Sequence, residues 1–298
     1  MSLDAHPGLP EFEYVKPETL AEASQFLAVH RGEARPFVGG TDVFVRMRDG
    51  VWSDKYLVDV KCLGDLNRIA FEPLRGLVIG AAVNMNRVIA FQAVREKYAV
   101  LAEAAESCAS YQLRTRATIV GNICNASPAG DTIGACLLLD GILDVHGTDG
   151  MREEPLGSFF LGSGKTSLRP GDIVTSIRLP APPKGLAGRY IKHGRNKISD
   201  LAIVGVTVVG CPRDDQASGY RIRLALASVA PVPLVVDEVE AILSNKKIDA
   251  KGIAEAAQAA MSACDPIDDV RGSTRYRRLM VRNLSIKALT DVWEQLRK

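Results

Sequence analysis

Ala117-Thr118-Ile119-Val120-Gly121-Asn122-Ile123-Cys124-Asn125-Ala126-Ser127-Pro128-Ala129-Gly130-Asp131-Thr132 contains no Lys, Arg or Glu, and Asp131 is its only charge. Gly and Pro break it too often for a long helix, yet its charge is too low for a solvated loop. Small side chains and many accessible backbone N–H groups suit a chain that must face a bulky polar ligand. Arg35-Pro36-Phe37-Val38-Gly39-Gly40-Thr41-Asp42 has the same character. The expectation is that these two loops share one ligand.

Around them the chain reads as alternating short elements. Glu13 to Val15 is a strand, and Thr19-Leu20-Ala21-Glu22 is a capping box that opens a helix running to about Arg31, where Gly32 stops it. Strands follow at Pro36–Val38, Tyr56–Val60 and Leu77–Gly80, with one or two helical turns at Val43–Met47. Asn84–Lys97 and Tyr98–Ser107 read as helices. Leu137–Val145 supplies apolar material and a strand, and Ile173–Leu179 is a strand ending at Pro180. Pro180, Pro182 and Pro183 cannot continue a ladder and mark the best boundary. Beyond it, strand-like runs at Arg189–His193, Leu201–Val209 and Tyr220–Val229 predict an antiparallel meander. Helices are expected at Val236–Leu243, Ile253–Ser262 and Ser273–Leu296. The class is α+β, with a larger N-terminal part at residues 1–180 and a smaller sheet-plus-helix part at residues 181–298.

Composition narrows the function classes. The 298 residues are 47% hydrophobic and 24% charged, which is enough material for a sizeable core. A net charge of +2 and 6% aromatics argue against a nucleic-acid surface. Met1 to Pro10 carries Asp4 and His6 and shows no basic start followed by an apolar run, so no signal peptide is expected. No stretch approaches the roughly 20 apolar residues of a bilayer span. The expected location is cytoplasmic. Cys62, Cys108, Cys124, Cys136, Cys211 and Cys264 include no C-x-x-C pair and read as small buried hydrophobes rather than metal ligands.

In the first loop, Gly39-Gly40 lets backbone approach a ligand, Thr41 adds a hydroxyl, and the free N–H groups of the following helical start favour an anion. The loop lacks both the Gly-x-Gly-x-x-Gly spacing and the Walker ending. Gly164-Lys165-Thr166 mimics the latter without the required upstream glycine. In the second, Thr118 and Gly121 again pair a hydroxyl with a glycine turn. Asn125, Ser127 and Asp131 add a donor–acceptor, a hydroxyl and an acceptor, and an acidic side chain suits a sugar or ribityl hydroxyl. Read from the residues alone, ligand loops and ordinary glycine turns remain open alternatives.

Phe37–Asp42 together with Arg116–Asp131 closely resembles the FAD-binding medium subunit of the molybdenum hydroxylases, the family of carbon monoxide dehydrogenase, 4-hydroxybenzoyl-CoA reductase and the flavin domain of xanthine dehydrogenase. Gln112, Leu168–Val174, and Lys192 ahead of Ser199-Asp200-Leu201-Ala202 agree with it. The resemblance implies a two-subdomain FAD-binding fold of the vanillyl-alcohol-oxidase (PCMH) type, with a subdomain boundary near residue 55, followed by a three-stranded antiparallel sheet with helices. It implies that Pro36, Phe37, Val38, Gly39, Gly40, Thr41 and Asp42 cradle the pyrophosphate. Ala117, Thr118, Ile119, Gly121 and Asn122 would form the opposing loop. Asn125, Ser127, Gly130 and Asp131 would meet ribityl, phosphate or ribose groups. Ile173 or Val174 would pack near the isoalloxazine, with Lys192 close to the flavin ring.

The same resemblance implies partners: a large subunit with the molybdenum cofactor and a small subunit with [2Fe–2S] clusters, assembled as a dimer of heterotrimers. Substrate would be oxidised on the large subunit, and FAD would hand electrons to an external acceptor, small molecule or protein, whose identity the sequence does not disclose. The rival readings are a stand-alone FAD-dependent oxidase or reductase of the same fold, and a non-enzymatic nucleotide-binding module. Thr41 stands where covalently flavinylated relatives carry His, so the FAD is expected to be dissociable. Val120 replaces the first glycine of the usual Thr-Ile-Gly-Gly. No cysteine-rich insert is present, so no cluster is expected in this chain.

The remaining residues read as background. His6, His30 and His146 are isolated. His193 joins Arg189, Lys192, Arg195 and Lys197 as either a solvated strand end or a positive rim. Arg271, Arg275, Arg277, Arg278 and Arg282 read as a solvated helix face or a docking face. Trp52 and Trp293 read as packing anchors. No nucleophilic constellation emerges.

Overall fold

The computed structural model describes residues 8–196 and 198–298; His6 and Lys197 lie outside the described residues. The chain opens with β1 (Glu13–Val15), α1 (Leu20–Val29), β2 (Ala34–Phe37), α2 (Val43–Arg48) and β3 (Tyr56–Asp59). Helical crossovers make these strands a parallel sheet in the order β1-β3-β2. Its small core is Phe37, Met47 and Leu57, with Phe12, Val43, Phe44 and Trp52 against it. The Thr19 hydroxyl caps α1 by accepting from Glu22 N at 3.1 Å. The Glu22 carboxylate reaches back to Glu18 N, one residue beyond the Thr19 N–H that the capping box predicts.

Next come β4 (Ile69–Glu72), β5 (Gly76–Gly80), α3 (Met85–Ala90), α4 (Gln92–Lys97), α5 (Ala99–Glu106), α6 (Tyr111–Arg114), α7 (Ile119–Asn125), α8 (Ile133–Leu138), β6 (Ile142–Gly147), β7 (Gly150–Pro155), β8 (Phe160–Gly162), β9 (Lys165–Thr166) and β10 (Ile173–Leu179). Five of the strands make an antiparallel sheet in the order β4-β5-β10-β6-β7. The helix expected over 84–97 is broken at Phe91, which is extended with ψ of 122° and serves both as the end of α3 and the start of α4.

Segment 117–132 is not the pure loop its composition suggests. Thr118 caps a seven-residue helix whose Ile119, Val120 and Ile123 are buried, so packing overrides the weak helix propensity of Gly121 and Asn122. The helix stops at Ala126, a left-handed residue with φ of 48°. Gly121 and Val120 are therefore helical rather than turn positions.

The last part is β11 (Ala187–His193), β12 (Val204–Pro212), β13 (Tyr220–Ala227), β14 (Leu234–Val235), α9 (Asp237–Ser244), α10 (Ala250–Ala263) and α11 (Thr274–Leu296). The predicted meander is present, and the two-residue β14 makes it four-stranded. The three helices close its core, which runs through Val204, Val206, Val208, Leu224, Val281 and Leu289. Tyr98 pins the proline-rich linker by donating to Leu179 O and Pro180 O at 3.2 and 3.0 Å.

The arginine cluster is not a uniformly solvated face. Arg277 is 1% exposed and donates to Ile203 O, Ser228 O and the Asp269 carboxylate, which Arg271 also meets. Cys136, Cys211 and Cys264 are buried as expected, but Cys62 is exposed. Among the described residues, no helix is long and apolar enough to cross a membrane.

Candidate functional site

The first loop leaves the C-terminal end of β2 and enters α2, which begins without a side-chain cap. The N–H groups of Gly39, Gly40, Thr41 and Asp42 have no acceptor among the described residues. A row of unmatched N–H groups running into a helix start has the chemistry to receive an anion. Two glycines permit it. Gly40 holds φ of 72°, and a Cβ there would strike the Phe37 ring. A Cβ on Gly39 would fall on the Arg116 carbonyl. The residue before Ala117 thus lies against the first loop, and the two glycine-bearing segments touch. Phe37 itself is 4% exposed and supports the loop from the core, while Pro36 sits exposed in β2. Val38 packs against the main core, and the Thr41 hydroxyl lies 3.5 Å from the Asp42 carboxylate.

The second segment is held from several sides. Ala117 O accepts from Met85 N at 2.8 Å. Thr118 Oγ1 accepts from Gly121 N at 2.9 Å, and Thr132 donates to Asn122 Oδ1 at 2.8 Å. Ser127 Oγ takes Ala129 N and Ser127 O takes Gly130 N, which makes the tight turn before Asp131. A Cβ on Gly130 would strike Ile133 and Asn122 Oδ1. Gly164 N donates to Ala126 O and Ser228 N to Pro128 O, both from outside the segment. The Gly164–Thr166 stretch is therefore a hairpin end that buttresses the site rather than a phosphate loop. Asn125 joins the two loops through Nδ2 to Asp42 Oδ1 at 3.2 Å. Its Oδ1 is buried and has no donor among the described residues.

Asp131 and Lys192, which come from opposite sides of the linker, meet directly. Lys192 Nζ is 2.8 Å from Asp131 Oδ2 and 3.1 Å from Ser107 O, and Tyr190 Oη is 2.6 Å from Asp131 Oδ1. Asp131 is 6% exposed. Burial raises its carboxyl pKa, and the Lys192 charge with the two hydrogen bonds offsets only part of this. Burial also pushes the Tyr190 hydroxyl well up and the neighbouring Cys108 thiol to about 12. Sequence reading missed Tyr190, Ser107 and Cys108. Tyr190 carried a usable signal, because residues two apart on a strand share a face with Lys192. Ser107 and Cys108 carried none.

Ile173 and Val174 are 3% and 5% exposed in β10, and α7 packs on that strand. They form the floor beneath α7 and sit in the main core. The structure thus brings together the residues of the two loops, and Asp131 with Lys192, while Phe37, Ile173 and Val174 stand behind them. The unmatched N–H row and the orphaned Asn125 Oδ1 fit a phosphate-bearing ligand with hydroxyl donors, as FAD is.

Comparison with known proteins agrees. Residues 10–182 match the family model described as FAD binding domain in molybdopterin dehydrogenase, and residues 189–292 match the CO dehydrogenase flavoprotein C-terminal domain. The carbon monoxide dehydrogenase medium chain of Hydrogenophaga pseudoflava is 31% identical, over 95% of this chain and 98% of that protein. The glyceraldehyde dehydrogenase medium chain of Sulfolobus acidocaldarius is 30% identical, over 95% and 99%. The solved Hydrogenophaga pseudoflava carbon monoxide dehydrogenase superposes with a TM-score of 0.91, over 96% of this chain and 98% of that one. The chain belongs to the FAD-binding medium subunits of the molybdenum hydroxylase family.

Proposed function

We propose that this chain holds FAD non-covalently between loops 36–42 and 117–131 as the electron-transfer subunit of a cytoplasmic molybdenum-dependent dehydrogenase. Bound there, FAD supplies a carrier that takes electrons from [2Fe–2S] clusters of a small partner subunit and holds two for an external acceptor. Substrate oxidation belongs to a large partner with the molybdenum cofactor, in a dimer of heterotrimers. The assembly and the electron route rest on the family.

The observation that carries the reading is the pair of unmet needs at the loop junction: four N–H donors without acceptors, and a buried Asn125 Oδ1 without a donor. The buried oxygen costs free energy until a ligand meets it, and the N–H groups, on residues that are half-buried or exposed, are open to one. The Gly39–Asp42 N–H groups would bind the pyrophosphate, and Asn125 and Ser127 would orient hydroxyl-bearing parts. Ile119 and Val120, both buried, exclude water beneath α7. The Lys192 ammonium places positive charge where a reduced, anionic ring gains from it. The proline-rich linker at 180–185 divides the FAD-binding part from the sheet-plus-helix part.

A visible spectrum of the purified chain, taken before and after acid precipitation, tests this. Flavin bands that move to the supernatant are expected, and Gly40→Glu should abolish them. Flavin retained in the pellet would rule out the non-covalent reading. Co-expression with the neighbouring subunits should bring iron and molybdenum into one complex. A chain that purifies without either metal would argue against the partner reading.

A further inference from the structure

Asp131 lies just before α8, and Tyr190 and Lys192 lie on β11, beyond the linker. The carboxylate has one strong donor on each oxygen: Tyr190 Oη at 2.6 Å and Lys192 Nζ at 2.8 Å. Ser107 O takes a second Lys192 proton at 3.1 Å. An ammonium has three N–H donors, and the third meets no acceptor among the described residues. Tyr190 is 4% exposed and Asp131 6%, so neither oxygen can turn to water instead. Cys108 and Arg114 are the other titratable groups close to the cluster, and Asp42 acts on it from the first loop. Of these, only Tyr190 supplies a second donor to the carboxylate.

We infer that Tyr190 is a positioning residue: its hydroxyl fixes the Asp131 carboxylate, which fixes the Lys192 ammonium beside the two loops with one N–H donor left for the bound ligand. This rests on the FAD reading above. A Phe at 190 fills the same space and packs as well. It leaves Asp131 Oδ1 without its donor, and a buried carboxylate oxygen seeks another. The charged donor already on the carboxylate is Lys192, 2.8 Å from Oδ2, so the ammonium is drawn into a two-oxygen contact and its free N–H is spent. Tyr190 thereby tunes the site without touching the ligand.

The test uses the full chain, wild type and Tyr190→Phe. In the FAD-free chain, aspartate carboxyl carbons labelled with 13C report the Asp131 titration by NMR. Loss of the tyrosine donor should move that titration to higher pH. In the FAD-loaded chain, Tyr190→Phe should bind FAD about tenfold more weakly and show a more negative flavin midpoint potential, because the charge that favours the reduced ring has been drawn away. A packing role alone would leave titration and potential where they are, and that result overturns the inference. A shifted titration with unchanged affinity and potential also overturns it, because Tyr190 would then hold Asp131 without serving the ligand. A wild-type chain that takes up no FAD removes the reading beneath the inference, and the inference with it.

Discussion

Asn125 reaches across 83 positions of sequence to donate to Asp42 at 3.2 Å, while the other end of the same amide, Oδ1, is buried with no donor among the described residues. One side chain therefore both ties the two loops and presents an unmet acceptor at their junction. Asn125→Leu keeps the volume and removes both functions. An unsatisfied buried acceptor costs about 1–3 kcal/mol and the lost bond to Asp42 is worth about 0.5–1.5 kcal/mol. The net change in stability of the FAD-free chain should lie between a loss of about 0.5 kcal/mol and a gain of about 2.5 kcal/mol, while FAD affinity falls about tenfold. Urea unfolding and flavin-fluorescence titration on the same samples separate the two. An unchanged affinity would mean that Oδ1 faces no ligand.

Gly39 and Gly32 separate close approach from backbone freedom. A Cβ on Gly39 would collide with the Arg116 carbonyl, which is backbone and cannot swing aside. Gly32 has φ of 81° and open space around it. Gly39→Ala should cost about 1–3 kcal/mol and lose FAD, because the loops must part. Gly32→Ala should cost about 1 kcal/mol through left-handed strain and keep FAD affinity. Equal FAD binding by both variants would show that loop contact is not what builds the site.

Much of the fold is legible in the sequence. The Gly39-Gly40 pair, the small-residue run after Arg116 and the meander past Pro183 are local patterns, and local patterns survive in sequence. What was not legible depends on packing or distance. Segment 119–125 is a helix because Ile119 and Ile123 find a core, against the propensities of Gly121 and Asn125. Asp131 looked like a free acceptor for sugar hydroxyls, yet its carboxylate is already held by Tyr190 and Lys192, 59 and 61 positions away. Ile69–Glu72 carries no strand signal because all four residues are half-buried, so no alternation of apolar and polar positions marks it.

Thr118 is 4% exposed and its hydroxyl is the cap of α7, the helix that carries Asn122 and Asn125. Thr118→Val conserves shape and deletes the acceptor for Gly121 N. The expected loss is about 1 kcal/mol, read as a lower urea midpoint with an unchanged slope. Thr118→Ser, which keeps the hydroxyl, should recover most of it. A serine variant no better than valine would mean that the methyl group, not the cap, matters at this position.

Asp269 connects the C-terminal part to acid stability. Burial works to raise its carboxyl, but hydrogen bonds from Arg271 and Arg277 outweigh it and hold the group well below the usual range. A carboxylate whose folded pKa is depressed adds stability that is fully present above its unfolded value of about 3.9. That stability is lost as pH falls through the folded value, because the unfolded chain binds the proton first. Arg277→Met removes one of the two guanidinium partners and also strands the Ile203 and Ser228 carbonyls. At pH 7 the variant should lose about 3–5 kcal/mol, from the lost charge-assisted bond to Asp269 and the two carbonyls left without their donor. Towards pH 3 the Asp269 share of that gap shrinks, since wild type is losing the same interaction, while the share from the two carbonyls persists. Urea midpoints at pH 7 and pH 3 for both chains therefore apportion the loss. A gap of constant size would assign it all to the carbonyls and none to the ion pair.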